Sequence, residues 1–474
     1  MRSNGLTSTA SGMTWLRAML IGALAIGLSS CASTNVVKLP EGATHGFSQP
    51  FSQARDLARG HDALPVDQKA DNARQIERLL AGLDDTTLST DAAALPAGDP
   101  LYPYAGQALI RRGLPLPRPF DRGAWRFDAG DRPPAESDGY RPPVKLAVLL
   151  PLSGGLAPAA APVRDGFLTG YYGESRRRPD VAFYDTAGTP GGAVAAYQKA
   201  VAEGNDFVVG PLGRDEVGAV FRDAQATVPM LALNRANVPP PAGNASFSLS
   251  PEDDGIAAAE FLIDQKAHRV LVINGVDDGL RRASGALRDA LAERGGVVVD
   301  SVDMGGDAMA LLTRLQAAVQ KAGQVDAVFL ATRASEARTV APLLGTAGLA
   351  GKLRVSTSQL IAGTGKPTED IALDGIVYPT EPWTVRGVSG LPGAASVASR
   401  LKTARGPAAR LFAFGHDAWL ITAYLEKLAL DPNGQVDGAT GTLRLDAAGN
   451  VLHTPTWSTF RGGMPVPLAD ATAR

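Results

Sequence analysis

The sequence predicts an α/β protein of two Rossmann-like lobes, preceded by a small helical region and a proline-rich linker. Continuous apolar runs such as KLAVLLP at 145–151 are typical of strands that are buried on both faces of a parallel sheet. From residue 144 onwards such runs alternate with helical segments, which is the pattern of repeated βα units. The same alternation restarts after Pro251 and so indicates a second lobe.

The predicted strands fall into two sets, one for each lobe. The first set is 145–151, 181–185, 207–210 and 230–233, and the second is 269–274, 297–302, 327–331, 353–357 and 375–378. A helix is predicted between successive strands. We expect lobe 1 to comprise 144–250 and 381–435, and lobe 2 to comprise 251–380 and 436–465, within one domain spanning 144–465.

The end of the chain departs from the βα pattern. A long helix is predicted over 410–430, followed by GTLRLD at 441–446, a turn at 447–450 and a second strand over 451–460. Alternation on both sides of a Gly-Asn turn predicts a β-hairpin.

Length and charge set limits on the class of protein. A chain of 474 residues is long enough for two or three folded units. Its 46 Lys and Arg residues nearly balance 48 Asp and Glu residues, for a net charge of −2. Nucleic-acid-binding proteins usually carry a clear basic excess, so this composition argues against a nucleic-acid partner.

Residues 1–30 have the features of a secretory signal peptide. Arg2 and Arg17 precede an apolar run over 18–28, which is too short to be a comfortable transmembrane helix. Translation could begin at Met1 or at Met13. Cys31 ends the segment and is the only cysteine, so an intramolecular disulfide is excluded.

Between this segment and the lobes, the sequence predicts a tether with a small helical region over 31–113 and a linker over 114–143. Apolar residues recur every three or four positions between 66 and 83, as on one face of a helix. Seven prolines between 115 and 143 exclude a continuous helix there and predict a semi-extended segment.

A search for catalytic chemistry gives no candidate. The five histidines are scattered and form no metal-ligand spacing, and no phosphate-binding loop is present. Ser153 lacks the glycine pattern of a nucleophile elbow. We therefore predict a protein without catalytic residues, metal or cofactor.

Small polar residues follow the predicted strands, where open α/β sheets bind ligands. The candidates for a ligand or partner cleft are Ser153, Gly154, Asp185, Asn234, Arg235 and Asp277. The alternative is that these residues form ordinary turns and helix caps, which favour the same residue types. Asp417 has two interpretations as well: a polar group near the hinge or cleft, or an acid in the first turn of the long helix.

Several segments together resemble the family of the penicillin-binding protein activator LpoA, within the type I periplasmic binding proteins of the Leu/Ile/Val class. The similar segments are KLAVLLPLSG at 145–154, VRDGFL at 163–168, FYDT at 183–186, VVGPL at 208–212, VPMLALN at 228–234 and GHDAW at 415–419. The position of Cys31 likewise resembles the lipobox of bacterial lipoproteins. That resemblance implies lipidation of Cys31, and the following Ala32 and Ser33 imply sorting to the outer membrane. The alternative for Cys31 is a small residue that happens to end a signal peptide.

The resemblance implies an outer-membrane lipoprotein that binds a bifunctional penicillin-binding protein and stimulates its transpeptidase activity. One departure is that the family's N-terminal helical domain is about twice as long as the region between Cys31 and Arg141. An alternative function is a lipid-anchored periplasmic receptor for amino acids or small peptides, with the ligand in the interlobe cleft. Outer-membrane sorting counts against this alternative, because a transporter's receptor works at the inner membrane.

Overall fold

The computed structural model describes residues 46–121, 125, 127, 132–224, 227–361 and 366–469. The predicted signal peptide, Cys31 and the tether to residue 45 lie outside these ranges. The described chain begins with a helical unit whose core includes Phe51, Ile76, Leu88 and Leu109, all fully buried. Its helices are α1 (Gln49–Gly60), α2 (Val66–Ala81), α3 (Asp85–Ala94) and α4 (Tyr102–Arg111).

The proline-rich segment is held against its neighbours at both ends. At its start, Phe120 packs on Tyr102 with ring centroids 5.8 Å apart, so this end belongs to the helical unit. At its far end, the Arg141 guanidinium donates two hydrogen bonds to Glu426, at 3.0 and 2.9 Å. The Tyr140 hydroxyl donates to the carbonyl of Arg177 at 2.7 Å. These contacts fasten the segment onto lobe 1.

Lobe 1 contains an eight-stranded sheet in the order β11-β12-β13-β5-β4-β3-β1-β2. Pairing is parallel from β2 to β13 and antiparallel from β13 to β11. The strands are β1 (Lys145–Leu150), β2 (Asp180–Asp185), β3 (Phe207–Val209), β4 (Met230–Ala232), β5 (Ala245–Phe247), β11 (Val436–Asp437), β12 (Thr442–Leu445) and β13 (Asn450–Thr454). The helices that follow β1, β2 and β3 are α5 (Ala157–Gly173), α6 (Pro190–Ala202) and α7 (Arg214–Asp223).

Lobe 2 contains a seven-stranded sheet in the order β15-β14-β10-β9-β8-β6-β7. Its strands are β6 (Arg269–Asn274), β7 (Val297–Asp303), β8 (Ala327–Ala331), β9 (Leu353–Ser356), β10 (Ile376–Thr380), β14 (Thr456–Arg461) and β15 (Met464–Pro467). Its helices are α8 (Pro251–Asp264), α9 (Asp278–Glu293), α10 (Ala308–Ala322), α11 (Ala334–Leu344) and α12 (Pro367–Asp370). The predicted two-lobed α/β fold is thereby confirmed.

The chain passes between the lobes three times within the described residues. The first crossing joins β5 to α8, and the second leads from β10 to α13 (Pro382–Val385), α14 (Ala394–Arg400) and the long helix α15 (Ala408–Leu430). The third lies between β13 and β14, at Pro455. Crossings this close together place the sheets side by side with a cleft between them.

The third crossing corrects the expected lobe boundary. The sequence predicts 436–465 in lobe 2, but 436–454 join the sheet of lobe 1 and only 456–467 join that of lobe 2. The reason is that β12 and β13 form the predicted hairpin, so they must share a sheet, and β13 pairs with β5 of lobe 1. The strand predicted over 451–460 is divided at Pro455.

The centre of lobe 1 depends on close packing of α5 against α15. A methyl group on Gly166 of α5 would lie 1.9 Å from the carbonyl oxygen of Phe412, and one on Gly415 of α15 would lie 2.0 Å from that of Val163. Only glycine allows the two backbones to approach this closely. Phe167 and Trp419 then pack edge to face beside the crossing, with ring centroids 5.9 Å apart.

The helical unit contacts both lobes. Toward lobe 1, the Arg444 guanidinium of β12 donates to the carbonyl of Leu114 at 3.5 Å. Toward lobe 2, α2 and α4 face α8 and α9 across a small cavity, where Arg111 lies 3.6 Å from Glu293. Glu77 hydrogen-bonds Glu293, so two carboxyl groups meet at this contact.

Charge at this contact is unbalanced. The carboxyl groups of Glu77, Glu260 and Glu293 line the cavity, and the guanidinium groups of Arg111 and Arg294 face them. The third arginine that lines the cavity, Arg112, donates to backbone carbonyls of α2 and forms an ion pair with Asp85 of α3. Burial and the hydrogen bond to Glu77 raise the pKa of Glu293 to about 7, although Arg111 opposes the shift. Burial also raises the pKa of Glu260 to about 7.

This cluster predicts a pH dependence of stability. A carboxyl group whose pKa is raised on folding contributes stability that is fully present below its usual value near 4.5 and is lost as pH rises through about 7. We expect Glu293→Gln to be neutral near pH 5 and to raise the melting temperature relative to the parent at pH 8. Because the site is partly open to solvent, we expect the free energy of unfolding of Glu293→Gln to exceed that of the parent by about 1 kcal/mol at pH 8. Calorimetry across pH 5–8 measures this difference. Asp223→Asn, on the exposed surface of α7, is the control, and an equal pH response in parent and Glu293→Gln would contradict the prediction.

Candidate functional site

The loops at the carboxyl end of the lobe 1 sheet meet at Asp185. This carboxylate accepts hydrogen bonds from the backbone N–H groups of Leu152, Ser153 and Ala187, at 2.9, 3.2 and 2.8 Å. The Ser153 hydroxyl donates to it at 2.6 Å. Those hydrogen bonds, with that from Ser153 the strongest cause, hold the pKa of Asp185 below its usual value. Gly154 adopts a φ of +78°, and its Cα hydrogen faces the carbonyl of Ala187. The three predicted residues therefore lie together, with Asp185 joining the two loops.

Asn234 and Arg235 form a second group at the edge of lobe 1. The Asn234 side chain donates to the carbonyl of Leu212 at 2.9 Å and accepts from the backbone N–H of Arg235. The Arg235 guanidinium reaches across to lobe 2 and donates to Asp253 at 2.7 Å. Asp253 is itself part of the capping box that begins α8 with Ser250. Arg235 thus makes an ion pair between the lobes.

Asp277, the predicted residue in lobe 2, caps the N-terminus of α9. Its carboxylate accepts from the backbone N–H of Gly279 at 2.8 Å and from the Arg333 guanidinium at 2.5 Å. The hydrogen bond from Arg333 is the main reason why the pKa of Asp277 lies below its usual value. The structure thus distributes the six predicted residues over three groups, each with internal hydrogen-bond partners.

A buried ion-pair network at the crossings was not predicted. Arg410 of α15 places its Nε 2.9 Å from Glu381 of the second crossing and an Nη 3.5 Å from Asp254 of α8. It also donates to the Ser358 hydroxyl, which in turn donates to Asp254. Burial lowers the pKa of Arg410, but the two carboxylates outweigh burial and raise it above its usual range. Arg410 therefore stays charged and joins lobe 1 to lobe 2.

A cavity of about 190 Å³ lies beside this network. Arg410 and Asp254 line it on one side, and Arg333 and Asp277 on the other. Two guanidinium groups thus face two carboxylates, and each guanidinium is already paired with a carboxylate. The cavity offers little unpaired charge to an ionic ligand, and it is smaller than the 300–1,000 Å³ typical of small-molecule sites.

The structure excludes one of the two interpretations of Asp417, that of an acid in the first turn of the long helix. Asp417 lies in the middle of α15, fully buried, and not in the first turn. Its carboxylate accepts hydrogen bonds from the backbone N–H groups of Ala439 and Thr440 and from the Thr440 hydroxyl, at 2.6, 2.7 and 2.6 Å. Asp417 therefore holds the loop that leads into β12.

The missed residues share one property. Asp254, Glu381 and Arg410 are far apart in the sequence and meet only because the crossings bring them together. One signal was present: the capping box Ser250–Asp253 marks the beginning of α8, at the first crossing. Among the described residues, no group of three His, Cys, Asp or Glu residues is arranged to hold a metal ion.

Two parallel-dominated sheets connected by three crossings, with a cleft between them, define a type I periplasmic-binding-protein-like fold. Solved structures share it. The C-domain of LpoA from Haemophilus influenzae, described as a regulator of PBP1A, superposes with a TM-score of 0.59 at 22% identity, over 68% of this chain and 99% of that one. A putative branched-chain amino acid ABC transporter protein from Chromobacterium violaceum superposes with a TM-score of 0.53 at 27% sequence identity. That match covers 67% of this chain and 100% of the other.

The chain belongs to the LppC family of putative lipoproteins, whose model matches residues 140–294 and 303–463. A curated relative from Photobacterium profundum, named penicillin-binding protein activator LpoA, is 26% identical over 356 residues. That alignment covers 69% of this chain and 57% of the relative, so the chain spans little more than half the length of that protein. Within the described part of the chain, each helix is too short or too polar to cross a membrane.

The buried network yields a stability prediction. Arg410→Met removes the cation and leaves Asp254 and Glu381 as buried, uncompensated carboxylates, so we expect a loss of about 3–5 kcal/mol. Adding Asp254→Asn and Glu381→Gln to the same protein removes the unpaired charges and should recover part of the loss. Thermal unfolding of the three proteins measures both effects. An Arg410→Met protein as stable as the parent would contradict the pairing described above.

Proposed function

We propose that this protein is an outer-membrane lipoprotein that binds a class A penicillin-binding protein and stimulates its transpeptidase activity. The observation that carries the proposal is the family match, which runs through both lobes. Curated relatives in that match bear the name penicillin-binding protein activator. The C-domain from Haemophilus influenzae, which is described as a regulator of PBP1A, is matched over 99% of its length by 68% of this chain.

The proposed action is contact with the synthase, not catalysis. The charged groups of the cleft already have partners within the fold: Asp185 in its two loops, Arg235 in Asp253 through one of its nitrogens, and Asp277 in Arg333. A group that is already paired must give up its partner before it binds a substrate, which costs free energy. This arrangement favours a scaffold whose outer surface does the binding.

The proposed anchor is the lipidated Cys31. Cys31 follows an apolar segment, and Ala32 and Ser33 come next, a sequence compatible with sorting to the outer membrane. Two or more acyl chains on one residue hold a protein at a membrane stably, whereas a single chain binds only marginally. The folded part would then act on the periplasmic side.

The direct test uses purified residues 32–474 with a class A penicillin-binding protein from the same organism. We expect binding in a pull-down and an increased fraction of crosslinked peptides in the peptidoglycan product, because the activator acts on the transpeptidase. A transpeptidase-inactive synthase is the matched control and should bind without any gain in crosslinking. Absence of both binding and altered crosslinking would refute the proposed function.

A second candidate function is a receptor for amino acids or small peptides, in the service of a transporter. The cavity between Arg410 and Arg333 favours it, as does the likeness to the Chromobacterium violaceum structure. The cavity's volume and its internally paired charges speak for the first function instead.

A thermal-shift screen separates the two functions. A ligand present at 100 times its dissociation constant stabilises the folded protein by about 2.7 kcal/mol, which raises the melting temperature measurably. We expect no such shift with amino acids or short peptides at millimolar concentration. A reproducible shift with one of them, removed by Arg333→Ala, would support the receptor.

A further inference from the structure

The segment between the second crossing and the middle of α15 contains no carboxylate. Residues 382–416 comprise 35 residues without Asp or Glu, but with Arg386, Arg400, Lys402, Arg405 and Arg410. The whole chain, in contrast, has a net charge of −2. Positive charge is therefore concentrated in one part of lobe 1.

Four of these five cations are exposed. Arg410 is buried in the network at the crossings, whereas Arg386, Arg400, Lys402 and Arg405 are on the surface. We call these four residues the cationic face. No carboxylate of the described residues forms a salt bridge with any of them, so their charges are available to a partner.

The cationic face is held rigidly. Trp383 and Phe412 stack beneath it with ring centroids 5.0 Å apart, and the Trp383 indole donates to the carbonyl of Pro392 at 2.9 Å. Thr403 donates to Asp165 of α5 at 2.7 Å. Arg405 donates to the carbonyls of Ala398 and Ser399 and so closes the end of α14. These contacts fix the backbone that carries the cationic face, and they also fix the Arg405 side chain.

An exposed aromatic residue borders the same face. Tyr172, at the end of α5, is 70% exposed, and the Arg178 guanidinium lies 5.7 Å from the centre of its ring. The next residue, Gly173, approaches Gly390 of the carboxylate-free segment, because a methyl group on Gly173 would lie 3.9 Å from the Gly390 carbonyl oxygen. Tyr172 therefore lies beside the carboxylate-free segment that carries the cationic face.

We propose that the cationic face, with Tyr172 at its border, is the surface on which lobe 1 docks an acidic patch of a partner protein. This inference rests on the proposed function, under which the partner is the synthase. Three of the four cations are arginines, and Arg and Tyr are the residue types enriched in protein interfaces, where Lys is depleted. Complementary charge accelerates association and sets orientation. Anionic membranes are instead bound by contiguous Lys/Arg clusters or basic amphipathic helices, which this folded segment is not.

The test is a charge reversal in the full mature chain. The triple variant Arg386→Glu, Arg400→Glu and Lys402→Glu leaves Arg405 in place, because Arg405 supports α14. The matched control reverses three exposed cations of lobe 2: Lys266→Glu, Arg281→Glu and Arg288→Glu. A second variant, Tyr172→Ala, changes no charge. Unchanged melting temperatures establish that the variants are folded.

Affinity for the synthase is measured at 50 and 300 mM salt. We expect the triple variant to bind at least about tenfold more weakly and to lose most of the salt dependence, with Tyr172→Ala also weaker and the control within about twofold of the parent. If the parent and the triple variant bind the synthase equally well, the cationic face is not the docking surface, while the proposed function stands. A parent that neither binds nor activates the synthase refutes both.

Vesicles of phosphatidylglycerol test whether the cationic face binds anionic lipid instead of a protein. The proposal expects the parent and the triple variant to bind such vesicles equally. If the triple variant loses vesicle binding and keeps its affinity for the synthase, the cationic face is a lipid-binding surface and the proposal is overturned.

Discussion

The Arg410 guanidinium and the two carboxylates beside it hold the architecture together. Arg410 belongs to α15 of lobe 1, Glu381 to the second crossing and Asp254 to the first helix of lobe 2. A charge buried without a partner costs several kcal/mol, so the two carboxylates depend on Arg410 and Arg410 depends on them. Separation of the lobes at this point would expose or unpair all three. The network therefore stabilises one relative position of the lobes and also explains why the cavity beside it has little charge to offer.

The helical unit adds a second constraint of the same kind. It contacts lobe 1 through Leu114 and lobe 2 through Arg111, so it spans both. In a solute receptor, binding depends on lobes that open and close. Here a closing movement must shift the contact between the helical unit and lobe 2, where the Glu77 and Glu293 carboxyl groups share a hydrogen bond. The Arg410 network and the helical unit both oppose movement of one lobe relative to the other. Such a fixed arrangement suits a scaffold better than a receptor.

Local patterns predicted the fold, while the site depends on contacts that no local pattern contains. KLAVLL and RVLVIN became the interior strands β1 and β6 because residues that are apolar on both faces must be covered on both faces. The β12–β13 hairpin was predictable from its turn, but the sheet that it joins was not. The alternation of apolar and polar residues along a strand is the same in either lobe. Asp417 shows the limit most clearly: its partners Ala439 and Thr440 follow it by more than twenty residues and meet it only after the chain has turned back.

The loops at the cleft are held by hydrogen bonds to one another. Ser and Gly after β1, and Asp after β2, are the residue types that hold ligands in open α/β sheets, and here they bind one another. Once these groups are paired internally, a ligand must compete with partners that are already in place. A charged partner then has more to gain outside the cleft, where cations have no carboxylate partner. In lobe 1 the segment between the second crossing and α15 offers such cations, because its packing on Trp383 and Phe412 leaves Arg386, Arg400 and Lys402 facing solvent.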